Sequence, residues 1–327
     1  MRESSLRILV ATTATGLLAA LSGCVSRVQE PAPVYPVLRP VISEEAIPVE
    51  SFTPEASDGH RGEGFLRKPP GEGPFPAVLL IHGGLPRRPT ERIRGYTLGT
   101  HTSRFLEAGY VVAVITYRGR DVAPRDQTPE TVLDCVAAVE ALRALPFVDP
   151  ASIAVTGTSG GGDLSLEVAA ATEVAATVPE EPASVLMAGL VNENSDAARA
   201  ADYLALYRAQ PDHSAFLAKL ARIESPILII MGTHTTHSGI NQWNDAILIP
   251  ELRAAGKSVE VVTFPGEPHS FSFESTPART PRPAAARKAF RGIASFLQRH
   301  LPTLPRPLDP RLVQHEPIGE RTGSGTP

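Results

Sequence analysis

Ser159 stands in "TGTSGGG" (156–162), with a glycine two positions before it and another two positions after, directly behind the apolar run "SIAV". A serine hydroxyl is a weak nucleophile until a base takes its proton and hydrogen-bond donors receive the oxyanion that its attack creates. Gly-x-Ser-x-Gly prepares such an attack when it joins a strand to a helix. The serine then occupies a strained turn, and the flanking glycines let neighbouring backbone pass close by. By itself the pattern is weak, but its flanks strengthen it. "IAVTGTS" reads as a strand, and "GGGDLSLEVAAAT" can open a helix whose N-terminus aims backbone N–H groups and a positive dipole end at the same place.

Further stretches accompany this one in a definite order: "IHGG" (81–84), "YRG" (117–119), "VDPASIAVTGTSGGG" (148–162) and "RAAGKSVEVVTFPGEPHSF" (253–271). On these residues, the chain from about 47 to 300 resembles an α/β-hydrolase of the dienelactone hydrolase and prolyl-oligopeptidase-like branch. The resemblance implies that Ser159 is the nucleophile and that the backbone N–H of Gly160 forms half of an oxyanion hole. The other half would come from the N–H of Gly84 or Leu85. It also implies that His269, in "FPGEPHSF", is the general base that takes the Ser159 proton and returns it to the leaving group. His82 then reads as a support of the oxyanion loop. No metal or cofactor is implied: "HTTH" (234–237) has suggestive spacing but no carboxylate or cysteine nearby to complete a site.

The sequence departs from that family at the third catalytic position, where an aspartate in a setting like "HGTxD" orients the histidine. Here the chain reads "MGTHTTHSGINQWND", and Thr235 aligns with the aspartate. Three readings stand. The acid is at the end of the preceding strand, where "LVNENSD" offers Glu193 first and Asp196 second, since carboxylates just past a strand's C-terminal end face the ligand crevice of open α/β sheets. Alternatively, the loop 233–245 folds back and presents Asp245. In the third reading there is no acid, and Thr235 or Asn241 holds the ring.

The elements that must position these groups alternate along the chain. Short apolar runs at 76–84, 110–119, 152–159, 183–190, 226–233 and 258–266 read as strands buried on both faces. Helical spacing lies between them, for example at 129–145 and 250–257. The expected fold class is therefore α/β: a mostly parallel central sheet with helices on both faces. Residues 47–68 would add an antiparallel edge pair, and 191–225 a small helical insertion.

Outside this domain the composition changes. "MRESSLRILVATTATGLLAALSGC" (1–24) pairs an arginine-bearing start with an apolar stretch too short to span a bilayer, so residues 1–23 read as a signal peptide. Its end resembles a bacterial lipobox, which would make Cys24 the lipidated first residue of an exported, membrane-anchored protein. Val25 suits sorting to an outer membrane facing the periplasm. Proline-rich 24–46 reads as a tether and 301–327 as a flexible tail. Cys135, among apolar neighbours, reads as a buried thiol without a disulfide partner.

The net charge of −4 carries no long run of one sign, which excludes the electrostatic footprint of a nucleic-acid binder. Two functional readings follow. One is a serine hydrolase acting on a small-molecule carboxylic ester through an acyl-enzyme, with amides less favoured because the segment before 47 is too short for the propeller of peptidase relatives. The other is a non-catalytic binding or envelope protein on a hydrolase scaffold, suggested by the missing aspartate.

Overall fold

A computed structural model describes residues 38–84, 90–119, 128–183, 186–190, 203–233, 238–273 and 283–317. Its centre is an eight-stranded sheet of order β2-β3-β5-β4-β6-β7-β8-β9. Strands β2 (Glu50–Phe52) and β3 (Gly64–Arg67) form the antiparallel edge pair expected for 47–68, and β3 runs antiparallel to β5 (Val111–Ile115). From β5 onward every pairing is parallel, through β4 (Phe75–Ile81), β6 (Val148–Thr158), β7 (Ala176–Glu180), β8 (Ile227–Gly232) and β9 (Val259–Phe264). Parallel strands need crossover helices on both faces, and so their side chains alternate between two buried layers. Leu79, Ile81, Val155 and Ile229 enter one core, shared with α3 (Pro129–Arg143) and α4 (Gly160–Ala171). Val78, Ala154, Val178 and Ile230 enter the other, shared with α2 (Thr100–Glu107) and the helix Pro283–His300. Cys135 is free and buried on α3, and burial pushes its thiol well above the usual range.

The strand expected at 183–190 is instead β7, at 176–180. "ATVPE" hides from a hydrophobic pattern because it carries a proline and a terminal glutamate, yet all five residues are buried. Pro179 interrupts the ladder toward β8, where it removes one hydrogen bond. Thr177 and Glu181 donate their N–H groups toward β8, to Pro226 O (3.0 Å) and Ile230 O (2.8 Å). The residue between them on that side is the one without an N–H. The apolar run after it packs as a turn: Met187, Ala188 and Leu190 are buried in the first core. Asp163 of α4 holds this turn, accepting the N–H groups of Leu186 (2.6 Å) and Met187 (3.2 Å). Lys219 joins Glu167 to the Leu186 carbonyl at the same place. Lys219 belongs to Ser214–Arg222, which with Tyr203–Ala209 gives the described part of the expected helical insertion.

The tether and tail are shorter than composition suggests. Leu38–Val41 pairs antiparallel with Gln314–Pro317 as a separate two-stranded sheet, so 38–46 is folded rather than a tether. Arg67, wholly buried, donates to the carbonyls of Ile42 (2.8 Å), Ser43 (2.9 Å) and Ile47 (2.8 Å) and ties this segment down. Residues 301–317 likewise pack on the domain: Leu301, Leu308 and Val313 enter the second core, and Leu308 N donates to Glu107 O at 2.9 Å. Proline-rich chain has no periodic pattern, but it can still be held by scattered apolar anchors and by side chains that satisfy its carbonyls. The expected signal peptide and Cys24 lie outside the described residues, as does 318–327.

Asp163 makes the stability of this arrangement depend on pH. Burial, and then the neighbouring Glu167, raise its carboxyl from 3.8 to about 7. The folded protein therefore holds a proton that the unfolded chain releases, and the stability from this group, full below about pH 4, is lost as pH rises toward 7. Denaturant unfolding across that range is expected to show a flatter decline for Asp163→Asn than for the wild type.

Candidate active site

Four parallel strands end along one edge of the sheet, and each brings one part of a candidate active site. β6 ends at Thr158, and α4 begins at Gly160. Between them Ser159 takes φ 57°, ψ −120°, a left-handed conformation that costs a side-chain-bearing residue energy. The turn is tight enough to need both glycines of the motif. A Cβ on Gly157 would meet Gly161 O at 2.4 Å, and one on Gly161 would meet Ile81 O at 2.1 Å. Ser159 is held by its N–H to Glu180 O (2.9 Å) and by its carbonyl, which accepts from Ala183 N (3.1 Å).

His269 follows β9 and is largely enclosed, with 9% of its side chain exposed. Its Nδ1 lies 3.1 Å from Oε2 of Glu181, which is 3% exposed. The carboxylate is fixed on both oxygens. Oε1 accepts the N–H of Gly232 at the end of β8 (3.0 Å), and Oε2 also accepts the N–H of Ser270 (2.5 Å). With Nδ1 turned to a carboxylate, Nε2 is the nitrogen that can serve a hydroxyl. The serine and histidine segments are joined beside that point. Thr158 Oγ1 and Ser270 Oγ, the immediate neighbours of Ser159 and His269, are hydrogen bonded at 2.9 Å. Among the described residues, the non-glycine positions with positive φ are Ser159, Glu181 (47°) and Ser270 (62°). All three belong to this one constellation, where strain is expected to concentrate at a functional site.

Glu181, which the sequence reading did not name, is the carboxylate that stands at His269. Glu193, Asp196 and Thr235 lie outside the described residues. Asp245 sits exposed on the π-helical turn Asn244–Leu248, and Asn241 gives its Nδ2 to the Gly232 carbonyl (2.7 Å). The position at His269 Nδ1 assigned to Glu193, Asp196 or Asp245 is occupied by Glu181. The rule that a carboxylate past a strand end faces the crevice selects Glu181 once the strand is placed at 176–180 rather than 183–190.

The loop after β4 completes the site. A Cβ on Gly83 would meet Thr158 O at 2.3 Å and Ser159 Cβ at 3.3 Å, so Gly83 lies against the serine turn; Gly84 follows with φ 77°. Leu85 lies outside the described residues. Tyr117 of the "YRG" stretch steadies this loop. Its hydroxyl donates to His82 O (2.6 Å), and its ring stacks on the His82 imidazole with centroids 4.2 Å apart. Gly160, the first residue of α4, borders the same space with its N–H at the positive end of the helix. The arrangement can therefore offer a hydroxyl, an imidazole backed by a carboxylate, and backbone donors around one point. Among the described residues, no group of three or more His, Cys, Asp or Glu could hold a metal ion, and "HTTH" falls outside them.

Comparisons with known proteins agree with this fold. The uncharacterized peptidase YuxL of Bacillus subtilis is 26% identical over 267 residues, 75% of this chain; the chain spans only 38% of that relative's length. Among solved structures, an esterase of Pyrobaculum calidifontis superposes with TM-score 0.50 at 22% identity, covering 77% of this chain and 85% of its own. A Klebsiella pneumoniae protein assigned as a dienelactone hydrolase gives 0.52 at 18% identity, covering 77% and 99%. These likenesses show the α/β-hydrolase fold. The profile of the prolyl oligopeptidase family matches residues 97–303, which include Ser159, Glu181 and His269, and the chain belongs to that family of hydrolases.

Proposed function

We propose that the protein is a serine hydrolase that cleaves carboxylic esters through an acyl-enzyme, with Ser159 as nucleophile, His269 as general base and Glu181 as the acid of the triad. The observation that carries this reading is the Glu181–His269 contact of 3.1 Å beside a serine held at φ 57°. Ser159 Oγ attacks the ester carbonyl while His269 Nε2 takes its proton. The tetrahedral oxyanion is received by the N–H of Gly160 and by an N–H of the 83–85 loop. Collapse expels the alcohol, which leaves with the proton held by His269. Water then enters, gives a proton to the same imidazole, and releases the acid and the free serine. Glu181 keeps Nδ1 protonated and stabilises the imidazolium formed in each half-reaction.

Esters are favoured over peptides because solved proteins of the same fold include esterases. The reading as a non-catalytic binding protein rested on the missing aspartate at Thr235, and Glu181 supplies the carboxylate that it lacked. The N-terminal pattern supports export and anchoring through a lipidated Cys24.

A fluorophosphonate probe is expected to label the wild type and not Ser159→Ala; absence of labelling of the wild type would remove the hydrolase reading. Steady-state assays with p-nitrophenyl esters should show Glu181→Gln reducing kcat by about 10²- to 10⁴-fold with little change in KM, while Asp245→Asn stays near wild type. If peptide p-nitroanilides turn over faster than the esters, the substrate class assigned here is wrong. Cys24→Ser is expected to move the protein from the membrane to the soluble fraction of the producing cells, and unchanged membrane retention would count against the anchor.

A further inference from the structure

Glu181 has a neighbour that the mechanism does not use. Glu180, the last residue of β7, is 1% exposed, and its side chain shares a strand face with Ala176 and Val178. It therefore points to the α2 side of the sheet. His101 meets it there from α2, 4% exposed, with Nε2 at 3.4 Å from Glu180 Oε1. Thr156 Oγ1 lies 3.3 Å from the same oxygen, while Oε2 has no hydrogen-bond partner among the described residues. The His101 ring is held edge-on by Phe105 (5.2 Å) and Phe290 (6.4 Å). Two consecutive glutamates thus each face a histidine: Glu181 faces His269 at the crevice, and Glu180 faces His101 beneath it.

A buried carboxylate with one oxygen unsatisfied is costly, and an apolar pair of similar volume would serve packing as well or better. What the pair holds is specific. The Glu180 carbonyl accepts the Ser159 N–H at 2.9 Å, and the next residue is Glu181, strained at φ 47°. The Glu180–Glu181 dipeptide therefore joins the nucleophile's backbone to the carboxylate behind the base. We infer that Glu180 and His101 are a positioning pair. By fixing Glu180 from the opposite face of the sheet, they hold the Ser159 turn and the Glu181 carboxylate in register with each other. This inference rests on the hydrolase reading above, and neither residue touches substrate.

Replacing both groups separates positioning from packing. Glu180→Met/His101→Leu replaces this polar pair with apolar side chains of similar size, so its melting temperature is expected to equal or exceed that of the wild type. If the pair positions the triad, kcat for a p-nitrophenyl ester and the rate of fluorophosphonate labelling should both fall about tenfold or more, with KM within twofold. Glu167→Gln, which weakens a half-buried ion pair on the other face of the sheet, is the control: it is expected to lower the melting temperature and leave kcat within twofold. The single variants Glu180→Gln and His101→Gln should each lose kcat, and their losses should not add in the double variant, because the pair acts as a unit. A double variant that is folded and retains wild-type kcat would overturn the inference while leaving the hydrolase reading intact. A wild type that neither labels nor turns over esters would overturn both.

Discussion

The Glu181 carboxylate is the junction on which the candidate site depends. Its two oxygens receive the N–H groups of Gly232 and Ser270 and face His269 Nδ1, so one side chain links the ends of β7 and β8 with the loop after β9. A carboxylate bonded to two backbone N–H groups is held in one orientation, and the imidazole against it is held in turn. A second side-chain contact, between the Thr158 and Ser270 hydroxyls, joins the serine strand to the loop after β9. The left-handed backbone at Glu181 is what turns the side chain out of the strand and toward the histidine.

Strain at Ser159 and Glu181 persists because the surrounding sheet over-determines it. Behind Ser159, β6 is buried from Ser152 to Thr158 and paired with β4 and β7 on either side. Glycine at 83, 157 and 161 removes the side chains that would force the β4 loop, the strand end and the helix start apart. A parallel sheet covered on both faces gives a stiff platform, and its C-terminal edge is where loops from several strands can converge on one reacting group. Tyr117 extends the same logic to the oxyanion loop, since it reaches from the end of β5 to the carbonyl just before the glycines.

Much of this was legible from local pattern. The serine turn, the helix behind it, five of the six expected central strands and the antiparallel edge pair each announce themselves within a dozen residues. Glycine placement, apolar runs and helical spacing are short-range signals. The carboxylate at His269 was not legible in the same way. "PEEP" carries no mark of catalysis, and its significance depends on β7 being read at 176–180, where a proline and polar residues mask a strand buried by its neighbours. With a strand at 183–190 instead, the carboxylates just past its end are Glu193 and Asp196 rather than Glu181.

By itself, then, the sequence determined the α/β class, the strained serine and the family resemblance that singled out His269, because each is encoded by neighbours along the chain. Only the tertiary structure decided which carboxylate stands behind His269, since Glu181 and Ser270 are 89 positions apart and meet through sheet order rather than local spacing. It also decided that 38–46 and 301–317 are folded. Those segments have no periodicity of their own and are ordered by anchors elsewhere, Arg67 on the carbonyls of one and the second hydrophobic core beneath the other.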